Sequence, residues 1–314
     1  MVTWCSSLPR RQRRSVSTPR RTAPLNSQAL IEVVAAVTGE TLALTGTSGT
    51  GEVGAAFVRR ADGSGAVLSR GRGAAELRRA AEGLEVARVA GLPVPRYLQV
   101  VALGEEVALL QERLPGRPPD RVDDHLVEQL LAFVEGLRKL LPDEVGPRSA
   151  QLYLTGSGPG YCVHESLAGH DERTRELLSW VRSVGREDGT LLPGSDLVHL
   201  DLHPGNVLVD EAETITGVVD WDAAGRGDAR LGWVTLLFDL AWGVSFDSRY
   251  ADVGARTIRR LEDQISGLDF KLLRQCWAHM SLRQVDWSLR HHTNEIVEHH
   301  LRVATEGRRR HQLG

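Results

Sequence analysis

Apolar and polar positions change their period once along the chain, near residue 115. Before that point the runs are short. Leu30, Ile31, Val33, Val34 and Val37 recur at helical spacing and stop at Gly39, which predicts a short amphipathic helix. Thr41 to Leu44, Ala55 to Arg60 and Ala66 to Arg70 read as strands, the last two joined by the turn Asp62-Gly63-Ser64-Gly65. Ala74 to Ala90 keeps a helical period until Gly91-Leu92-Pro93-Val94-Pro95, where two prolines cannot continue a helix. Tyr97 to Leu103 and Glu106 to Gln111 form a further strand pair about Gly104-Glu105. After Leu114-Pro115-Gly116 long helical patterns take over: Asp123 to Leu141, Glu172 to Val184, Leu231 to Val244, Arg249 to Ile265 and Phe270 to Arg302. One stretch interrupts them. Val207-Leu208-Val209, a polar turn at Asp210 to Thr214, and Ile215 to Trp221 read as a β-hairpin lodged among helices. The pattern predicts an α+β chain of two lobes. Residues 24–115 form a small antiparallel sheet with one inserted helix, and residues 116–314 a larger, mainly helical lobe.

Composition narrows the function classes. The 314 residues are 41% hydrophobic and 25% charged, an ordinary globular balance, and no apolar run approaches the roughly 20 residues of a membrane span. Cys5, Cys162 and Cys276 are few and scattered, with no C-x-x-C pair, which suits a reducing, cytoplasmic setting. Residues 1–23 hold six arginines and no acid, so the net charge of −3 conceals a body near −9, and that arm is expected to be disordered. The acid surplus falls after residue 116. It disfavours nucleic acid as a ligand and suits a cationic small molecule. Neither a nucleic acid nor a membrane is expected as a partner, and the chain is expected to be a monomer or weak dimer.

The sequence His199-Leu200-Asp201-Leu202-His203-Pro204-Gly205-Asn206 carries the chemistry. His-x-Asp-x-x-x-x-Asn is the spacing of a kinase catalytic loop, in which the Asp accepts the proton of the attacking hydroxyl and the Asn holds magnesium. The hairpin that follows returns the chain so that Asp220 faces Asn206 across a shared metal, and an Asn with one or two carboxylates is the oxygen set magnesium takes. His199 reads as structural. His-x-Asp-x-His also suggests a metal hydrolase, but such a site needs further His or Glu ligands that the sequence does not offer. Gly49-Thr50-Gly51-Glu52-Val53-Gly54 lies between two strand-like runs rather than before a helix. That placement suits a loop whose N–H groups cover nucleotide phosphates at Gly49, Gly51 and Gly54, although a plain hairpin turn has the same composition. His291-His292 and His299-His300 read as a solvated helix face.

With these motifs the chain resembles the aminoglycoside phosphotransferase family of antibiotic and small-molecule kinases, over roughly residues 40 to 300. His199 to Asp210, Val218-Val219-Asp220-Trp221-Asp222, Gly227-Asp228, Gly91 to Pro95 and Leu109 to Gly116 carry the resemblance. It implies a protein-kinase-like fold that transfers the γ-phosphoryl group of ATP or GTP, with Mg2+, to a hydroxyl of an antibiotic. Asp201 would be the base, Asn206 and Asp220 the metal ligands, Asp222 either a further aid to the metal or a hold on the loop, the Gln111-Glu112-Arg113 backbone the purine contact, and Asp228 structural. A metabolite kinase of the homoserine or choline type and a nucleotide-binding pseudokinase are the alternatives. A protein kinase is disfavoured, because Asp220-Trp221-Asp222 replaces Asp-Phe-Gly and no Ala-Pro-Glu follows. The chain departs from the family in one respect: Lys139 and Lys271 are its lysines, so none stands on the third strand to grip the phosphates. Arg70 is the substitute this implies, paired with a helix Glu among Glu76, Glu82 and Glu85, with Glu82 favoured; a one-residue shift in register would turn Ser69 inward instead. Asp263, Asp286, Glu295 and Glu298 would form an acidic rim for an amine-bearing acceptor.

Overall fold

A computed structural model describes residues 27–48, 54–71, 73–104 and 106–314. The arm at 1–23 and the glycines Gly49 and Gly51 lie outside them. Helix α1 (Ser27–Thr38) precedes strands β1 (Leu42–Ser48), β2 (Ala55–Arg60) and β3 (Gly65–Gly71), helix α2 (Ala74–Val89), and strands β4 (Tyr97–Leu103) and β5 (Glu106–Glu112). The strands form one antiparallel sheet in the order β1-β2-β3-β5-β4. Both faces of this sheet are covered. Leu30, Ile31 and Val34 of α1 pack on Ala56, Val58, Ala66, Leu68, Ala108 and Leu110. On the other face Val107 and Leu109 meet Leu77 of α2.

The rest of the chain is mostly helical: α3 (Asp124–Gly136), α4 (His164–Ala168), α5 (Glu172–Asp188), α6 (Leu231–Phe246), α7 (Ala255–Ser266), α8 (Phe270–His291) and α9 (Asn294–Arg310). Local chemistry starts several of them. The Asp123 carboxylate accepts from Leu126 N at 3.0 Å, and Asp171 and Thr174 form a reciprocal capping box before α5. Short strands β6 (Asp196–Val198) and β9 (Gly225–Gly227) pair with each other, and β7 (Val207–Val209) and β8 (Ile215–Val218) form the expected hairpin. No helix among the described residues is long and apolar enough to cross a membrane.

Several helical expectations need correction. Arg249 to Ile265 is α-helical only from Ala255, and Asp123 to Leu141 only to Gly136. Phe270 to Arg302 is not one helix, because the chain turns extended at His292 and Thr293 and α9 folds back along α8. Packing requires the reversal: Trp277 Nε1 donates to Ala304 O at 3.0 Å, and Gly307 lies so close to the Trp277 ring that an added Cβ would come within 1.7 Å. His299 and His300 are consequently buried rather than solvated, His299 against the edge of Phe246 at 5.1 Å.

The hairpin is strapped to the segments on either side of the sheet. Val218 N donates to Pro93 O at 2.7 Å, Thr216 Oγ1 to Pro115 O at 2.8 Å, and Arg117 exchanges backbone bonds with Val209 at 3.0 and 2.8 Å. Gly116 allows this approach, for its φ is 102° and a Cβ would stand 2.8 Å from Val209 O.

Candidate active site

The loop between β6 and β7 is ordered by its own side chains. His199, 3% exposed, donates from Nε2 to Val219 O at 2.8 Å and accepts from Asp201 N at its Nδ1 at 3.1 Å. One nitrogen donates and the other accepts, which is the neutral ring, and burial lowers its pKa to about 4. Asn206 Nδ2 donates to Asp201 O at 2.9 Å and Asn206 O accepts from Val219 N at 2.9 Å. The loop and the end of β8 are thus one hydrogen-bonded unit.

Asp220 follows β8 with φ +68°, a left-handed conformation that costs a non-glycine residue on the order of 1–3 kcal/mol. Trp221 anchors the turn, since its 1% exposed indole donates to Val218 O at 2.8 Å and meets the edge of His199 at 4.5 Å. The turn sets Asp220 beside Asp222, both reachable by solvent yet ringed by protein. Enclosure raises the pKa of each, and negative neighbours add to it: Asp222 and Asp201 for Asp220, Asp201 for Asp222. Carboxylates crowded in this way are relieved by a cation. With the Asn206 amide oxygen they make a set of hard oxygens that fits magnesium. Among the described residues no three His, Cys, Asp or Glu form a complete metal cage, so phosphate and water oxygens would have to fill the remaining positions.

A residue the sequence reading missed completes the unit. Arg283 of α8 places Nη2 2.8 Å from Asp201 Oδ1, bonds Leu200 O through Nη1, and lies over the Tyr161 ring at 5.6 Å. Burial works to raise the Asp201 pKa, but the charge of Arg283, foremost among the neighbouring groups, outweighs it and holds the carboxyl below its ordinary range. A signal was available, for Arg283 lies three and seven residues beyond Met280 and Cys276, on the face of α8 where both are buried. Beside the loop, His203 Nδ1 accepts from Gly205 N at 3.1 Å and stands 4.0 Å from Asp239, whose carboxylate accepts from Tyr250 Oη at 2.8 Å.

The sheet side differs from expectation. In the β3–β5 register Arg70 opposes Ala108 and Ser69 opposes Leu109. Opposed residues share a face, so Arg70 lies on the α1 face, 3.7 Å from Glu106, while Ser69 and Val67 lie on the face toward α2. Glu82 does not meet Arg70; it accepts from Gly146 N at 3.4 Å. Glu85 is 3.5 Å from both Arg88 and Arg96, and Glu76 is 4.0 Å from Arg148. Gln111 and Tyr97 oppose each other at the end of the sheet, and Gln111 Oε1 and Tyr97 Oη are buried without a hydrogen-bond partner. Enclosure raises the Tyr97 pKa, as do the nearby charges of Asp222 and Asp220. Glu112 accepts from Arg88 Nη1 at 2.9 Å, and Arg113 lies over the Phe57 ring at 4.5 Å. Gly54 has φ +71°.

Asp228 is held by Arg230 at 2.6 and 2.8 Å, just after β9. The acidic rim does not form as expected. Asp286 is 0% exposed and bound by Arg290 at 2.8 Å and Ser166 at 2.7 Å, and Glu298 is gripped by Arg173 at 2.6 and 2.7 Å. Asp263 and Glu295 are exposed on α7 and α9.

Residues 49–268 match the model of a family described as the phosphotransferase enzyme family. An uncharacterized protein, YcbJ, of Bacillus subtilis (strain 168) is 32% identical over 147 residues, 45% of this chain and 44% of that protein, so the match spans less than half of the relative. Among solved structures, a thermostable mutant of aminoglycoside phosphotransferase APH(4)-Ia in a ternary complex with ADP and hygromycin B superposes with TM-score 0.60 at 15% identity, covering 91% of this chain and 99% of that one. Amicoumacin kinase hAmiN in complex with AMP-PNP, Ca2+ and Ami gives 0.54 at 15%, covering 91% and 94%. An aminoglycoside-3'-phosphotransferase of type VIII gives 0.52 at 18%, covering 81% and 98%. These likenesses identify the kinase-like fold.

Proposed function

Because this chain belongs to the phosphotransferase enzyme family, we propose that it moves the γ-phosphoryl group of ATP or GTP to a hydroxyl of a small molecule, an antibiotic by preference. The observation that carries the reading is the single hydrogen-bonded unit that ties Asp201 and Asn206 to Val219, the residue before Asp220. Residues 24–115 form the nucleotide-binding lobe and 116–314 the catalytic and acceptor lobe of a cytoplasmic enzyme. Asp201 accepts the hydroxyl proton, and His199 and Asp228 hold the loop and the segment after β9. Asn206, Asp220 and Asp222 hold Mg2+, which when bound neutralises phosphate charge. The Gln111 to Arg113 backbone takes the purine, and the loop containing Gly49, Gly51 and Gly54 covers the phosphates. Most of the rate enhancement would come from holding hydroxyl and phosphate in line. Nucleotide and antibiotic bound to solved relatives of the fold support this choice.

A panel of antibiotics and hydroxylated metabolites incubated with the protein, Mg2+ and either nucleotide tests it, read as a mass gain of about 80 Da, one phosphoryl group. A gain on homoserine or choline alone would assign a metabolite kinase. One observation favours a second reading, a nucleotide-binding pseudokinase: the face of β3 toward α2 carries Val67 and Ser69 and no cation. Tight magnesium–nucleotide binding with no transfer to any acceptor would select it.

A further inference from the structure

Arg283 reaches the catalytic loop from α8, more than eighty residues further along the chain, and makes two contacts there and a third outside it. Its guanidinium meets Asp201 Oδ1 at 2.8 Å, bonds Leu200 O, and rests on Tyr161, itself edge-on to Tyr153 at 5.3 Å. The pair is only partly open to solvent, at 18% exposure for Arg283 and 35% for Asp201. Asp201 Oδ2 has no donor among the described residues. β3, meanwhile, turns its one arginine to the α1 face. We infer that Arg283 is the positioning residue of Asp201, pinning one carboxylate oxygen so that the other is presented to the acceptor hydroxyl. The inference rests on the phosphotransferase reading.

A planar guanidinium held on three sides loses little further freedom and fixes both the carboxylate and the backbone carbonyl before it. Without it the carboxylate rotates in a site that offers no replacement donor among the described residues, and misplacement by about 1 Å costs roughly a hundredfold in rate. The loss falls on transfer and spares nucleotide binding, because Arg283 bonds the loop that faces the acceptor.

The test compares wild type with Arg283→Gln and Arg283→Lys, alone and in the Asp201→Asn background. Arg283→Gln should lower kcat by one to two orders of magnitude with the nucleotide KM within about twofold, and Arg283→Lys should recover part of the loss by restoring the ion pair. In Asp201→Asn protein the Gln substitution should change the residual rate by less than about threefold, since its partner is already gone. Wild-type kcat in folded Arg283→Gln, an equal loss in the Asp201→Asn background, or a Lys variant no better than Gln would each overturn the inference. If wild type transfers to no acceptor, the phosphotransferase reading fails by itself. Melting temperatures of wild type, Arg283→Gln, Asp201→Asn and the double variant then test the pair: non-additive shifts support the coupling, and additive shifts overturn it.

Discussion

Asp220 stands in a conformation that favours glycine or asparagine, next to a second carboxylate, and both features are costs the fold bears. Asp220→Asn keeps a side chain that tolerates left-handed backbone and removes the repulsion. We therefore expect calorimetry of metal-free protein to show a melting temperature raised by roughly 2–4 °C. The same substitution should weaken magnesium–nucleotide binding by roughly tenfold or more. Unchanged affinity would remove Asp220 from the metal site. Arg70 and Ser69 give a paired prediction from one register. Arg70 faces away from α2, so Arg70→Ala should leave the nucleotide KM within about twofold. If the proposed nucleotide lies on the face toward α2, Ser69→Lys should lower that KM by roughly tenfold by placing a charged donor there. Steady-state kinetics on the two variants decide the face, and a reversed pattern would put Arg70 in the cleft.

At the scale of elements, what could be read in advance depended on how local its cause is. The His199 to Asn206 loop and the β7–β8 hairpin were legible because their defining contacts span few residues: Asn206 reaches Asp201, His199 reaches Asp201, and β7 pairs with β8. The facing of β3 was not. Ala66, Val67, Leu68 and Ser69 do not alternate cleanly, since α1 covers one face of the sheet and α2 the other. Nor was the turn between α8 and α9, which has no proline or glycine at His292-Thr293 and is imposed by packing remote in sequence. Arg283, an arginine on a largely apolar stripe, was legible in principle but had no partner in view. The α8–α9 packing has its own test. Gly307→Ala drives a methyl into Trp277, costs about 1–3 kcal/mol, and should lower the melting temperature by several degrees while leaving nucleotide affinity untouched. A melting temperature equal to wild type would show that the helices part without penalty.

For the whole molecule, buried neutral histidines set an acid limit. Burial lowers His279 to about 4 and His300 to about 3, both below the ordinary value of 6.5. The unfolded chain therefore binds protons before the fold does. Stability is full above pH 6.5, declines as pH falls below it, and is lost as pH passes through the folded values. Urea midpoints should be flat from pH 7 to 8 and fall steadily from 6.5 toward 4; a flat profile to pH 4 would contradict the burial. The straps on the hairpin have a consequence on a longer scale of time. Val218, the last residue of β8, is tied to Pro93, which precedes β4, and Asp220 stands two residues further on. On the proposed function, a lobe movement that exchanged nucleotide would pull on that bond and shift Asp220 against Asn206, so nucleotide and ion would leave together and a weakened Val218–Pro93 bond would separate their release rates.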